Sequence, residues 1–123
     1  MRFESNEAAE QETVISFCEL MANRYPELSL IYHVPNGGKR NKTEAARFKR
    51  QGVKPGVPDL VLPVPRHGFH GLYIEMKYGK NKASGEQSWW LEQLTAQGYM
   101  CVLCVGADAA IRTICDYMRI KGG

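Results

Sequence analysis

Along 123 residues, stretches of helical period alternate with short apolar runs that proline or glycine cuts off after a few positions. That alternation points to a mixed α/β domain in which helices cover a small sheet. Val14, Phe17, Cys18 and Met21 recur at i, i+3, i+4 and i+7, one apolar stripe of a helix over about 8–23 that stops before Tyr25-Pro26. LSLIYHV reads as a short strand ending at Pro35, and Asn36-Gly37-Gly38 as a turn. A basic helix is expected over 42–51, stopped by Gly52. Asp59 to Leu62 reads as a second strand, and RHGFHG turns the chain into a third, LYIEMKY, so the two suit a hairpin. Ser84-Gly85-Glu86-Gln87 is a capping box opening a helix to Gln97. A strand over 99–105 and a helix over 108–118 complete the order α, β, α, β, β, α, β, α. No repeat or low-complexity tract divides the chain, so 1–123 reads as one domain.

Composition narrows the class. The chain is 44% hydrophobic and 24% charged, which excludes wholesale disorder. No run approaches the ~20 apolar residues of a spanning helix. The acidic, polar start MRFESNEAAEQE does not resemble a secretory signal, so a cytoplasmic location is expected. The net charge of +3 is unevenly spread. Between Lys39 and Lys54, seven basic residues face the single acid Glu44, a local charge of +6. Such a block suits either a polyanion partner or a solvated surface. Cys101 and Cys104 have the spacing of half a zinc site. On a strand, however, residues three apart point to opposite faces, so small buried hydrophobes is the better reading. His33, His67 and His70 lack ligand spacing, and surface positions are expected for them.

The strand LYIEMKY carries the chemistry. Leu72, Ile74 and Met76 share one face and suit a core; Tyr73, Glu75 and Lys77 share the other, at solvent or a cleft. By itself that describes an ordinary amphipathic strand with an exposed charge pair. Asp59, however, opens the preceding strand directly after Pro58. An acid there and an acid-x-Lys on the partner strand can converge at the sheet edge. Two carboxylates so placed make an oxygen-rich site for a hard cation such as magnesium. Adjacent Trp89 and Trp90 diverge by about 100° on a helix, so core or dimer packing is expected before base stacking.

Pro58-Asp59 followed by Glu75-Met76-Lys77 resembles the PD-(D/E)xK nuclease superfamily. VPNGGKR, GVKPGVPDLVLPVPR and GLYIEMK narrow the resemblance to the VRR-NUC family, in particular its stand-alone phage and bacterial members, over residues 10–118. The resemblance implies a restriction-endonuclease-like fold. It implies that Asp59 and Glu75 bind metal together with the backbone carbonyl of Met76, and that Lys77 is the catalytic lysine. Glu12, with Glu10 as the fallback, matches the first-helix glutamate. Gln87 matches a glutamine near the metal or phosphate, although the capping box alone would also explain it.

Asn36, Gly37, Gly38, Lys39, Arg40, Lys42, Arg47, Lys49, Arg50 and Lys54 then become candidate phosphate contacts. The implied activity is magnesium-dependent hydrolysis of DNA phosphodiesters, with manganese able to substitute, in a bacterial or phage-infected cell. The implied substrate is branched DNA, Holliday junctions first, in recombination or repair. Symmetric cutting implies a homodimer, for which Trp89, Trp90, Tyr117 and Met118 are the candidate apolar leftovers. Two alternatives stay open: a flap or nicking nuclease of the same superfamily, and a non-catalytic nucleic-acid-binding module.

Overall fold

The computed structural model describes residues 7–35 and 41–120. Helix α1 (Glu7–Met21) is followed by a 3-10 turn (Pro26–Leu30) and strand β1 (Tyr32–His33). Helix α2 (Lys42–Arg50), strands β2 (Leu60–Leu62) and β3 (Leu72–Lys77), helix α3 (Gly85–Ala96), strand β4 (Met100–Val105) and helix α4 (Gly106–Met118) complete the order. The strands form one mixed sheet, β1-β2-β3-β4. β1/β2 and β2/β3 are antiparallel, and β3/β4 is parallel. The parallel pair is joined through α3, the usual route for a parallel connection.

Local chemistry accounts for most boundaries. The α2 N-terminus is capped by Asn41, whose Oδ1 accepts the Glu44 N–H at 2.7 Å. Gly52 follows its end at φ +96°, a conformation that glycine adopts without steric cost. Ser84 and Gln87 form the expected reciprocal capping box. In the β2–β3 connection, Arg66 and Phe69 exchange backbone hydrogen bonds around His67 and Gly68, both at positive φ. α4 begins two residues before the expected 108, directly after β4, where the Glu10 carboxylate accepts the Ala107 N–H at 3.0 Å.

The first strand differs from the sequence expectation. Pro26 starts a 3-10 turn through Leu30, and the Ser29 hydroxyl donates back to the Pro26 carbonyl at 2.7 Å. These local bonds compete with a ladder, and only Tyr32 and His33 pair with β2.

The core lies between the sheet and helices α1 and α4. Leu72, Ile74 and Met76 are buried there with Val14, Cys18, Ala110 and Ile114. Tyr117 and Met118 belong to this core rather than to an exposed patch: both are buried, and the Tyr117 hydroxyl donates to the Val64 carbonyl at 2.6 Å. The opposite face of the sheet carries α3, which has no fully buried residue. Trp89 is therefore exposed and Trp90 half-buried, outside the core that is one of the two placements expected for them. Their rings stand edge to face, 5.4 Å apart, on the surface beside the 54–55 loop. Cys101 and Cys104 point to opposite sides of β4, half-buried and buried respectively, and the described residues contain no cluster of three metal-binding side chains. Among the described residues, no helix is long and apolar enough to cross a membrane.

Candidate active site

The β2/β3 register builds the site. Leu60 pairs with Ile74, so one step back along β2 Asp59 stands opposite Glu75. Buried Pro58 fixes the approach. The Asp59 carboxylate accepts the Met76 backbone N–H through Oδ2 at 2.8 Å, which anchors it across the sheet. Lys77 lies two residues beyond Glu75 on the same face, with Nζ 3.7 Å from Glu75 Oε2. The amide oxygen of Gln87 on α3 accepts the same ammonium at 2.6 Å and also accepts the Ser84 N–H of the capping box at 2.8 Å. Capping and contact with the site, alternatives in the sequence, thus coexist in one atom.

Glu75 is not the exposed strand residue that its alternation suggests. It is only 2% exposed; Asp59 stands opposite it, and Lys77, held by Gln87 of α3, lies beside it. Its Oε1 is buried and has no hydrogen-bond partner among the described residues. Burial, together with the Asp59 charge, pushes its carboxyl up to about 7, while Lys77 pulls the other way. Burial also raises Asp59, opposed by the Met76 N–H and by His33 and Lys77.

A buried carboxylate oxygen with no donor is costly. A second carboxylate beside it makes the cost larger. A hard divalent cation removes both costs, and carboxylate and carbonyl oxygens are its preferred ligands. The donor set of Asp59, Glu75 and the Met76 carbonyl therefore fits magnesium on the chemistry of its own residues.

The other candidates are spread around this pair. Glu12 is exposed on α1 and lines a cavity of about 320 Å³ with Gln11, Ile15, Ser16, Glu19 and His33. Glu10 is turned to the α4 N-terminus. Neither joins Asp59 and Glu75 in a three-acid cluster. Lys42, Arg47, Lys49 and Arg50 are exposed on α2, which buries no residue, and Lys54 is exposed in the following loop. Asn36, Gly37, Gly38, Lys39 and Arg40 lie outside the described residues.

One neighbour was not anticipated. His33 Nδ1 lies 3.1 Å from the Asp59 carbonyl oxygen, across the β1/β2 pair. The signal was a strand of two residues, too short for periodicity to reveal its register.

The VRR-NUC domain model matches residues 9–108. A solved structure described as a VRR_NUC domain protein is similar to this chain at 33% identity and a TM-score of 0.79, covering 97% of this chain and 93% of its own. No curated protein matches. With the family match spanning most of the sequence and the acid pair and lysine gathered on adjacent strands, this chain belongs to the VRR-NUC domain family, a nuclease-type family.

Proposed function

We propose that the chain is a magnesium-dependent endonuclease hydrolysing DNA phosphodiesters, with four-way junctions as its leading substrate. The observation that carries this reading is the Asp59–Glu75 pair with a donorless buried oxygen, set beside Lys77. Asp59, Glu75 and the Met76 carbonyl hold the cation. Glu12 remains the first-helix candidate, with Glu10 as the fallback: Glu12 is exposed in the cavity that reaches His33, and Glu10 accepts the Ala107 N–H, so either would have to turn toward the pair to join it. Magnesium, or manganese in its place, supplies Lewis-acid polarisation at the scissile phosphate. Both carboxylates would have to be ionised to hold it, so binding would release the proton that burial and their mutual repulsion retain.

Lys77 orients the attacking water in line with the leaving oxygen and offsets charge on the pentacovalent transition state. Gln87 fixes the ammonium for that task. The exposed cations of α2 and Lys54 neutralise backbone phosphates, which gives affinity without sequence preference. Symmetric junction cutting needs two sites about a two-fold axis. With Tyr117 and Met118 in the core, the apolar surface available to a second copy includes exposed Leu103 and Val105 on the edge strand β4.

Labelled linear, flap and four-way DNA, incubated with and without magnesium, test the reading. Paired symmetric nicks in the junction, only with metal, are expected. Cutting confined to flaps would replace the junction substrate, and binding without cutting would replace the enzyme. Light scattering should give twice 13.9 kDa; the monomer mass would remove the symmetric mechanism.

A further inference from the structure

Lys54 and Pro55 on one side and Gly85, Glu86, Trp89 and Trp90 on the other enclose a groove of about 500 Å³. Its floor is rigid. The Trp90 indole N–H donates to the Pro55 carbonyl at 3.0 Å, and the Trp90 ring stands edge-on to Trp89 at 88°. Trp89 is nevertheless 55% exposed. A large aromatic ring braced by its neighbour, with its surface left to solvent, loses little side-chain freedom when something stacks on it.

Charge and position indicate what that occupant is. Lys54 lines the groove and follows the basic helix α2 in the chain, so an anionic group is drawn to this rim. Among the described residues, Glu86 is the one acid in the lining. It disfavours a phosphate on its own side but can accept from the exocyclic amine of a base, as acids do from cytosine. The groove also adjoins the candidate active site. Gly56 packs so closely on α3 that a Cβ there would lie 2.8 Å from Glu86 and 3.0 Å from the Gln87 nitrogen. The two walls therefore continue, within four residues, into Asp59 on one side and into Gln87, the partner of Lys77, on the other.

We propose that this groove holds one unpaired nucleobase of a DNA substrate, stacked on Trp89 with its phosphate against Lys54. The inference deepens the nuclease reading and rests on it for the identity of the polymer. It adds a site for a base splayed out of the duplex next to the scissile bond, as branched or gapped DNA can supply.

The chain's two tryptophans both line the groove, so tryptophan emission, excited selectively over the six tyrosines, reports this site. Full-length protein is titrated in EDTA with a short oligo(dA) and with the same oligomer made abasic. Saturable quenching by oligo(dA), and none by the abasic chain of equal charge, is expected. Trp89→Ala should weaken oligo(dA) binding about tenfold, the scale of one aromatic–base stack, with an unchanged circular dichroism spectrum. Trp89→Phe, which keeps a stacking face, should stay within about threefold.

Equal quenching by the abasic oligomer, or Trp89→Ala binding like wild type, overturns the proposal. So does a loss of oligomer mass in Trp89→Ala with DNA binding intact, which would make the groove a contact between copies. No metal is present, so the two readings fail separately. Base-dependent quenching without any magnesium-driven cleavage keeps the groove and removes the nuclease. Cleavage without base-dependent quenching does the reverse.

Discussion

The amide oxygen of Gln87 sits 2.6 Å from Lys77 Nζ and 2.8 Å from the Ser84 nitrogen, so one atom closes the first turn of α3 and holds the candidate catalytic lysine. The helix therefore positions the strand's chemistry through its own cap.

That sharing separates two variants. Ser84→Ala removes the hydroxyl that accepts the Gln87 N–H but leaves the Gln87–Lys77 contact, so it should cost about 1 kcal/mol of stability with little loss of cleavage. Gln87→Ala removes the lysine's partner as well, and cleavage should fall about 10–100-fold, as for other residues that orient a metal site. Thermal melts paired with single-turnover rates on both variants check this. Equal cleavage by the two would mean that Gln87 acts only as a cap.

Glu75 predicts a pH dependence of the metal-free protein. Its carboxyl is raised in the fold from the ordinary 4.5 to about 7, so the folded chain holds this proton more tightly than the unfolded one. The favourable contribution is complete below the unfolded value and is lost as pH rises through the folded one. The Asp59–Glu75 pair shares this loss, because burial and the Asp59 charge hold up the Glu75 proton. In EDTA, wild type should lose stability between about pH 5 and pH 8, Glu75→Gln should lack that part of the slope, and magnesium should restore wild type only at the higher pH. Parallel slopes for the two proteins would contradict it.

Gly56 joins the loop leading to Asp59 to the first turn of α3. Its φ is +86°, and an added Cβ would meet Glu86 backbone and Cβ at 2.8 Å. Gly56→Ala should therefore cost about 2 kcal/mol from backbone strain alone, and should reduce cleavage by shifting Asp59 relative to Gln87. A melting temperature equal to wild type would show that the loop yields freely.

The basic segment predicts a salt effect. Replacing Lys39, Arg40 and Lys42 by alanine should weaken duplex binding and lower the log–log salt slope by about 0.9 for each phosphate that is no longer neutralised. An unchanged slope in fluorescence anisotropy would mark these residues as a solvated surface.

Much of the fold is legible in the chain. Alternation in LYIEMKY separates Leu72, Ile74 and Met76 from Glu75 and Lys77, and Ser84-Gly85-Glu86-Gln87 announces a helix start from local bonds alone. The hairpin between β2 and β3 follows from the turn residues at Arg66 to Phe69. What escapes depends on tertiary placement. Glu75 is buried where Asp59 and the Gln87-held Lys77 meet, a tertiary arrangement that no strand pattern encodes. His33 meets Asp59 through a pairing of only two residues. LSL forms a 3-10 turn because the proline and serine bonds outweigh apolar content. Trp89 is apolar yet exposed, a placement that hydrophobicity alone argues against.

In the proposed nuclease, Asp59 and Glu75 jointly hold a divalent cation that cleavage requires, with Lys77 acting beside it. The most direct test is magnesium-dependent cleavage of labelled four-way DNA by Asp59→Asn, Glu75→Gln and Lys77→Ala, each checked for folding by circular dichroism, with metal binding followed by calorimetry. The two acid variants should bind no magnesium at the site and should not cut, while Lys77→Ala should bind magnesium but not turn over. Wild-type cleavage by either folded acid variant would contradict this assignment.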